Sequence, residues 1–521
     1  MATAATTPAD IFSRLVGAEH VRLDEASRSY FARDIFYWPD ATLPEAVVAP
    51  GGVDELSAVL CEAAAAGLAV VPRGGGMSYT GGYVPHGAPA IVLDLRRLAR
   101  IRAVDPDDGY VLIEAGATWA ALRDAVEPHG LRARYSAPYS GNFSTIGGAL
   151  AQGTPDDASG VLGLEVVLAD GGRVRTGTFG IEPHAVPFLR GFGPDLTGLF
   201  LADGGTLGIK TAVALALEPK PRAVGYASFA FETCEAMVRA MIACGRARLP
   251  GKAMGLDPRK SQNAPKVGFR DAIQTLATVA LAKPTVTGGL RDALGMAAAG
   301  RNFMEGVQWS MHVTVEGVGE RSVDEALAAW RELCAGAGAG HGEGREIPNL
   351  LPMALAASPF SVRGFLGPQG ERWVPTNALL PYSAAERAAT RVQQYFDSRR
   401  AEMERHGMWH SCILAARPGF LLIEPSFYWP DEISRLHADH LDAASAAKFA
   451  QLPPDPAARA FAIELRAGLI RTLEDCGSAH VQLAKAYGYR SRLEPGARAT
   501  IDRIKRALDP EGRLNPGNLE R

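Results

Sequence analysis

Pro72-Arg73-Gly74-Gly75-Gly76-Met77-Ser78-Tyr79-Thr80-Gly81-Gly82 is the stretch that decides how this chain is read. It follows the short apolar run 68–71, which reads as a strand, so the glycines fall where a strand ends. Successive glycines reach left-handed conformations, and their N–H groups can then converge on one concavity suited to phosphate oxygens. No Lys-Ser/Thr pair follows, which excludes a P-loop. More glycine stands where a helix would open, which excludes a dinucleotide turn of the Rossmann type. On glycine alone a tight surface turn is the competing explanation. A second loop weighs against it: Pro138-Tyr139-Ser140-Gly141-Asn142-Phe143-Ser144-Thr145-Ile146-Gly147-Gly148 again combines small residues, hydroxyls and a glycine pair. Two such loops suit an extended ligand with two phosphates.

Outward from these loops, residues 51–220 alternate between helix and strand patterns. The spacing predicts a helix over 53–66, stopped by Gly67, and another over 119–126, stopped at Pro128-His129-Gly130. Strands are expected over 91–95, 110–115, 161–168 and 207–217, with a hairpin turn at Asp170-Gly171-Gly172. Pro219-Lys220-Pro221 punctuates the last of these and sets a boundary. From about 222 to 460, strands at 224–231 and 309–316 each precede a helix (234–246 and 322–333), the pattern of an α+β layer on an antiparallel sheet. The run 336–344, GAGAGHGEG, follows a helix rather than a strand and reads as a flexible loop. A helix at 498–508 and a Pro/Gly-rich tail close the chain. The divisions are therefore 1–220, 221–465 and 466–521.

The chain has 521 residues, too many for one core, and a formal net charge of −3, which leaves no electrostatic footprint for nucleic acid or an anionic membrane. Its six cysteines are scattered without a CxxC pair, which argues against a zinc ribbon or a disulfide framework. The N-terminus lacks the charged start and apolar core of a signal peptide. The most apolar run, 275–282, is cut short by Lys283 and Pro284, so no transmembrane segment is expected and the expected location is cytoplasmic.

Taken in order, the two glycine loops, Asp195-Leu196-Thr197-Gly198-Leu199-Phe200, Gly204-Gly205-Thr206-Leu207-Gly208-Ile209 and Asp509-Pro510-Glu511-Gly512-Arg513-Leu514-Asn515-Pro516-Gly517 resemble the FAD-binding signature of the vanillyl-alcohol oxidase/p-cresol methylhydroxylase (PCMH-type) superfamily. The resemblance covers about 40–220 and 475–521. It implies an α+β fold: an FAD domain of two α/β subdomains, closed by the C-terminal segment, and an α+β cap domain with an antiparallel sheet that carries most of the substrate pocket. It also implies cofactor contacts. Pro72, Arg73, Gly74, Gly75, Gly76, Met77 and Ser78 would wrap the pyrophosphate. Pro138, Tyr139, Ser140, Ser144, Thr145, Gly147 and Gly148 would run toward the flavin. Gly205 and Ile209 would meet the adenine side, and Asn515 would lie in the closing tail. Several members carry a histidine in the first loop that bonds to the flavin. Here Met77 stands there, and a thioether is not a suitable nucleophile, so non-covalent FAD is expected. A link from His410 or Cys412 in the cap is the alternative.

The resemblance implies hydride transfer from a hydroxyl-bearing carbon to flavin N5, with a base taking the hydroxyl proton. His480 is a candidate base, because imidazole titrates near neutrality, although a lone histidine is more often structural. Tyr489-Arg490 matches a Tyr-Arg pair that the phenol-oxidising branch uses on a phenolate, and the same pair suits a carboxylate. A surface salt bridge for Arg490 is the plain alternative. Tyr487, Asn377 and Arg363 are candidate substrate contacts, and the aromatic run 424–430 reads as core. The metal-using hydroxy-acid dehydrogenases carry a histidine cluster that this sequence lacks, and His437 and His440 have no partner at convincing spacing, so no metal is expected. The segment 195–209 is closer to the D-lactate dehydrogenase/glycolate oxidase branch. The first expectation is an FAD-dependent dehydrogenase of a small D-lactate-like hydroxy acid, passing electrons to an acceptor other than oxygen. The alternatives are an oxidase or dehydrogenase of a para-substituted phenol or benzylic alcohol, and a flavin-carrying subunit of a larger complex. A homodimer is compatible with the resemblance.

Overall fold

A computed structural model describes residues 8–135, 137–153, 158–259, 306–336, 344–349, 351–353, 360 and 365–521. Arg363, the apolar run 275–282 and residues 337–343 of the glycine run lie outside the described residues. Three sheets organise the chain.

The first holds β1 (Val21–Arg22), β2 (Ala46–Val48), β3 (Ala69–Arg73) and β4 (Ala90–Asp94) in the order β1-β2-β4-β3. Its inner pairs are parallel, and β4 is buried along its whole length, as strands covered on both faces must be. The helix Val53–Ala65 makes the crossover from β2 to β3 and buries Leu56, Val59, Leu60 and Ala63, one stripe at helical spacing. The C-terminal tail is pinned beside β3, with the Asn515 N–H donating to Val70 O and the Val70 N–H to Arg513 O.

The second sheet holds β5 (Ile101–Asp105), β6 (Tyr110–Glu114), β7 (Leu131–Ala133), β8 (Val161–Val167), β9 (Arg173–Arg175) and β10 (Ile209–Pro219), in the order β5-β6-β10-β8-β9 with β7 also on β10. All its pairs are antiparallel. The helices Trp119–Val126 and Ile146–Gln152 start on threonine caps, Thr118 and Thr145, whose hydroxyls accept from the N–H groups of Ala121 and Gly148.

The third sheet begins four residues after β10 ends. It holds β11 (Ala223–Phe231), β12 (Lys252–Leu256), β13 (Trp309–Gly317), β14 (Arg345–Glu346), β15 (Arg372–Pro375), β16 (Ala378–Pro381), β17 (Trp409–Arg417) and β18 (Phe420–Trp429). The order is β14-β11-β13-β12-β17-β18-β15, with β16 also on β18. Alternation divides β18 between two faces. Phe427 and Trp429 enter the core shared with Met237, Val392, Phe396 and Leu465 of the covering helices. Glu424, Ser426 and Tyr428 point to the other face, opposite Ile413, Ser411 and Trp409 of β17. Residues 425–429 are all buried, so the run 424–430, read from sequence as core, is buried on both faces, with Ser426 and Tyr428 on the one turned from the helices. Trp373 of β15 pairs with Tyr428 and packs edge-on against Tyr79 of the first glycine loop, at 5.5 Å between ring centroids. The cap sheet and the glycine loop meet there. Among the described residues no helix is long and apolar enough to cross a membrane.

Candidate functional site

The two glycine loops close on each other around a cleft. Their approach is backbone to backbone. A Cβ added to Gly74 would stand 2.1 Å from Thr145 Oγ1, and one on Gly75 would stand 1.8 Å from Phe143 O. Glycine is therefore required by space as much as by conformation. Among the described residues nothing accepts from the N–H groups of Gly75, Gly76 and Met77, which leaves these donors open. Pro72 to Ser78, Pro138, Ser140, Ser144, Thr145, Gly147, Gly148, Gly205 and Ile209 all line the cleft.

Arg73 departs from its expected role. Its Nη1 donates to the carbonyls of Phe31 at 3.0 Å and Arg33 at 2.8 Å, and its guanidinium sits over the Tyr83 ring at 4.7 Å. The head group is a buttress beneath the loop rather than a phosphate clamp. Lys210, the other lining cation, is buried in an ion pair with Asp203 at 2.6 Å. Asp203 also accepts from the Gly205 N–H, so this pair shapes the third glycine turn. Two expected contacts lie elsewhere. Tyr139 is 61% exposed because the Pro138–Gly141 turn points it outward, toward Met254. Asn515 sits behind the cleft, its Nδ2 donating to Gly82 O and Gly204 O at 2.7 and 2.6 Å. Asn518 repeats both bonds. The two asparagines tie the first loop to the third turn.

Beside the cleft lies a second cluster, where the edge of the cap sheet breaks between β15 and β16. Asn377 occupies the break: its N–H donates to the Tyr487 hydroxyl at 3.1 Å and its Oδ1 accepts from the Val481 N–H at 3.1 Å. His480 Nδ1 lies 2.6 Å from Asn377 O, so that nitrogen carries the proton and Nε2 is the acceptor. Nε2 faces Ser478 Oγ at 3.2 Å and Glu474 Oε1 at 3.8 Å. The imidazole stacks on Tyr487, 4.3 Å between centroids and 9° between planes. Burial pulls its pKa down to about 4, so it is neutral at pH 7. The structure thus brings Asn377, His480 and Tyr487 together. Burial raises the phenols of Tyr487 and Tyr79; nearby Arg466 opposes this at both, and Glu424 adds to it.

Several buried side chains here have no hydrogen-bond partner among the described residues: Trp373 Nε1, Thr376 Oγ1, Asn377 Nδ2, Ser411 Oγ, Ser426 Oγ and all three nitrogens of Arg466. Buried polar groups are normally paired, so this concentration marks a place built for a polar ligand. It joins the cleft at two points, through Met77-Ser78-Tyr79 and through His480-Val481-Gln482, since Met77, Ser78 and Gln482 line the cleft.

Tyr489 and Arg490 are outside this assembly, which corrects the reading of them as substrate contacts. Arg490 is exposed and ion-paired with Asp502 at 2.6 Å, on the turn where the Tyr489 N–H meets Arg521 O. His410 and Cys412 lie on the helix-covered face of β17, opposite Phe427 and Pro425, and His410 stacks on Phe396 at 4.1 Å.

Comparison with known proteins agrees with this geometry. Residues 44–177 match the FAD binding domain family, and residues 483–519 match the C-terminal domain family of FAD linked oxidases. The fold matches that of p-cresol methylhydroxylase with a TM-score of 0.70 at 17% identity, covering 98% of this chain and 96% of that one. The chain thus carries an FAD binding domain and the C-terminal domain of FAD linked oxidases, in a fold of the PCMH type. A glycolate oxidase subunit GlcD of Bacillus subtilis (strain 168) is 35% identical over 202 residues, which are 36% of this chain and 41% of that protein. A D-lactate dehydrogenase of Archaeoglobus fulgidus is 31% identical over 232 residues, 42% of this chain and 49% of that protein. The chain therefore matches less than half the length of these two relatives.

As in the PCMH-type superfamily generally, FAD is the cofactor, and the cleft fits it. The open N–H donors, the hydroxyls of Ser78 and Thr145 and the glycine surfaces suit a pyrophosphate and a flat ring system held close to backbone. What the sequence reading missed is the side-chain half of the site. Arg466 is one arginine of a helix (Pro456–Glu474) that carries two others, and nothing in its spacing distinguishes it. Tyr79 was quoted only as part of the glycine loop. Its position directly after two cleft-lining residues was a usable signal.

Proposed function

We propose that this protein is an FAD-dependent oxidoreductase that oxidises the C–OH group of a small hydroxy acid of the D-lactate type to the oxo acid. The observation that supports the reading is the cluster of unpartnered buried donors directly beside the FAD cleft. A hydroxy acid presents a carboxylate and a hydroxyl, both of which such donors would hold. The relatives named glycolate oxidase subunit and D-lactate dehydrogenase point to the same substrate class.

When bound, FAD supplies the acceptor for the hydride that leaves the carbinol carbon. Tyr79, Asn377 and Tyr487 orient the substrate. His480, a neutral imidazole whose burial makes it a weak base, acts as a positioning residue: it stacks on Tyr487 and its Nδ1–H holds Asn377 O. With Met77 in the first loop and His410 and Cys412 packed into the cap core, FAD is held without a covalent bond.

The test is anaerobic mixing of the purified yellow protein with D-lactate, glycolate, D-2-hydroxyglutarate and vanillyl alcohol. Bleaching by a hydroxy acid is expected. Bleaching by vanillyl alcohol alone would replace this reading with oxidation of a phenol or benzylic alcohol, and no bleaching by any of the four would end both. Acid precipitation should leave a colourless pellet.

A further inference from the structure

We propose that Arg466 holds the carboxylate of the substrate in this site, an inference that rests on the hydroxy-acid reading above and names the group that recognises it. Three arginines are buried among the described residues: Arg73, Arg372 and Arg466. Arg73 donates to backbone carbonyls of residues 30–33, and Arg372 to those of Ile35 and Glu432. Arg466, 3% exposed on the helix Pro456–Glu474, has no well-formed hydrogen bond from Nε, Nη1 or Nη2 among the described residues, and the one polar group it leans toward is the neutral Tyr487 hydroxyl, not a charge. A buried charge left so is costly, and such a group marks an absent counter-ion.

Its surroundings define that counter-ion. The guanidinium lies near the rings of Phe36, at 4.5 Å, and Trp38, at 5.6 Å. Aromatic faces satisfy the plane of a guanidinium and leave its N–H edge for hydrogen bonds. No carboxylate of the described residues comes within ion-pair distance of it. Asp34 is in its field, but the Asp34 oxygens accept from the N–H groups of Phe36 and Gly81 and from Trp38 Nε1. Glu424 acts on the phenols of Tyr79 and Tyr487 through its charge and forms no ion pair with Arg466. Lys485, the nearby cation, donates to Gly81 O and Asn518 Oδ1. The groups in its field are the phenols of Tyr487 and Tyr79, with Asn377 bonded to both tyrosines. A forked guanidinium with further donors at its side matches two oxygens of a carboxylate better than the single oxygen of a phenolate.

The experiment uses FAD-loaded protein and pyruvate, the oxo acid expected from D-lactate, which binds without reducing the flavin. Calorimetry should show Arg466→Met weakening pyruvate binding about 100-fold and Arg466→Lys about tenfold, the loss of charge-assisted hydrogen bonds. Flavin content should stay at the wild-type value, and the melting temperature should not fall, since Arg466→Met removes an unpaired buried charge. Wild-type protein should bind the neutral pyruvamide about 100-fold more weakly than pyruvate, and Arg466→Met should erase that preference. The comparison of the two ligands needs only the wild type, so it can overturn the proposal even if Arg466→Met fails to fold, and Arg466→Lys then carries the assignment to this residue. Equal binding of pyruvate and pyruvamide by the wild type, or unchanged pyruvate binding by Arg466→Met, overturns the proposal. If hydroxy acids bleach the flavin while either result is found, the inference alone falls; if no hydroxy acid bleaches it, the functional reading falls first.

Discussion

The cleft and the cluster beside it recognise ligands in opposite ways. The cleft is made of backbone. Its glycines bring two loops into contact, its lining cations are committed elsewhere, and its open donors are N–H groups. The cluster is made of side chains from segments far apart in the chain, around residues 79, 377, 424, 466, 480 and 487, and its open donors are side-chain atoms. A backbone cradle recognises what every member of a superfamily shares, whereas a side-chain cluster can be changed one residue at a time. That is the physical basis for a common cofactor beside variable substrates.

The comparison can be broken at the cleft first. Gly75→Val places a side chain where Phe143 O stands, so flavin content should fall below about a tenth of wild type, read as the 450 nm to 280 nm absorbance ratio; overpacking of this kind is not absorbed by rotamer changes. A normal ratio would mean that the loops can part, and the cleft would no longer be a rigid backbone device.

Acid should then expose the cluster. His480 has its pKa pulled from the usual 6.5 to about 4 by burial, and His312, remote from the site between Ser228 and Ser310, likewise. The folded chain refuses protons that the unfolded chain binds, so the stability contribution is full above about pH 6.5 and is lost as pH falls toward 4. Each group accounts for about 3 kcal/mol across that window. Urea midpoints should drop between pH 7 and pH 5, and His480→Asn should reduce the slope by its own share. An unchanged slope would mean that His480 takes up protons in the folded chain as readily as in the unfolded one.

A smaller effect is expected behind the cleft. Asn515→Ala should cost about 1–3 kcal/mol in denaturant unfolding and speed FAD loss on dilution. Asn518 donates to the same two carbonyls, so the double variant should lose more than either single one. The smallest effect belongs to Arg490→Ala, whose exposed ion pair with Asp502 is worth about 1 kcal/mol at most; flavin content and substrate affinity should be unchanged. A large rise in KM would return Tyr489-Arg490 to the substrate site.

How much of this could be read in advance follows the same division. The helix over 119–126, the strands over 110–115 and 161–168 and the turn at Asp170-Gly171-Gly172 come from local periodicity and turn chemistry, and the structure forms them with ends shifted by a residue at most. The glycine loops announce themselves because a backbone site needs consecutive residues of one kind. Tyr139 went astray since a quoted motif does not say which of its side chains a turn sends outward. Arg490 was overvalued and Arg466 overlooked for one reason: local sequence cannot separate an arginine that meets Asp502 at the surface from one sealed between Phe36 and Trp38.

The sequence by itself determined the cofactor cradle, because glycine's missing Cβ acts on its nearest neighbours and leaves an ordered trace along the chain. Tertiary structure alone decided what stands beside it. The break between β15 and β16, the face of β18 that carries Glu424, and the packing of the helix Pro456–Glu474 bring Asn377, Tyr79, Tyr487 and Arg466 together. Burial then makes their missing partners informative, and burial is a property of the folded chain and of no single segment of it.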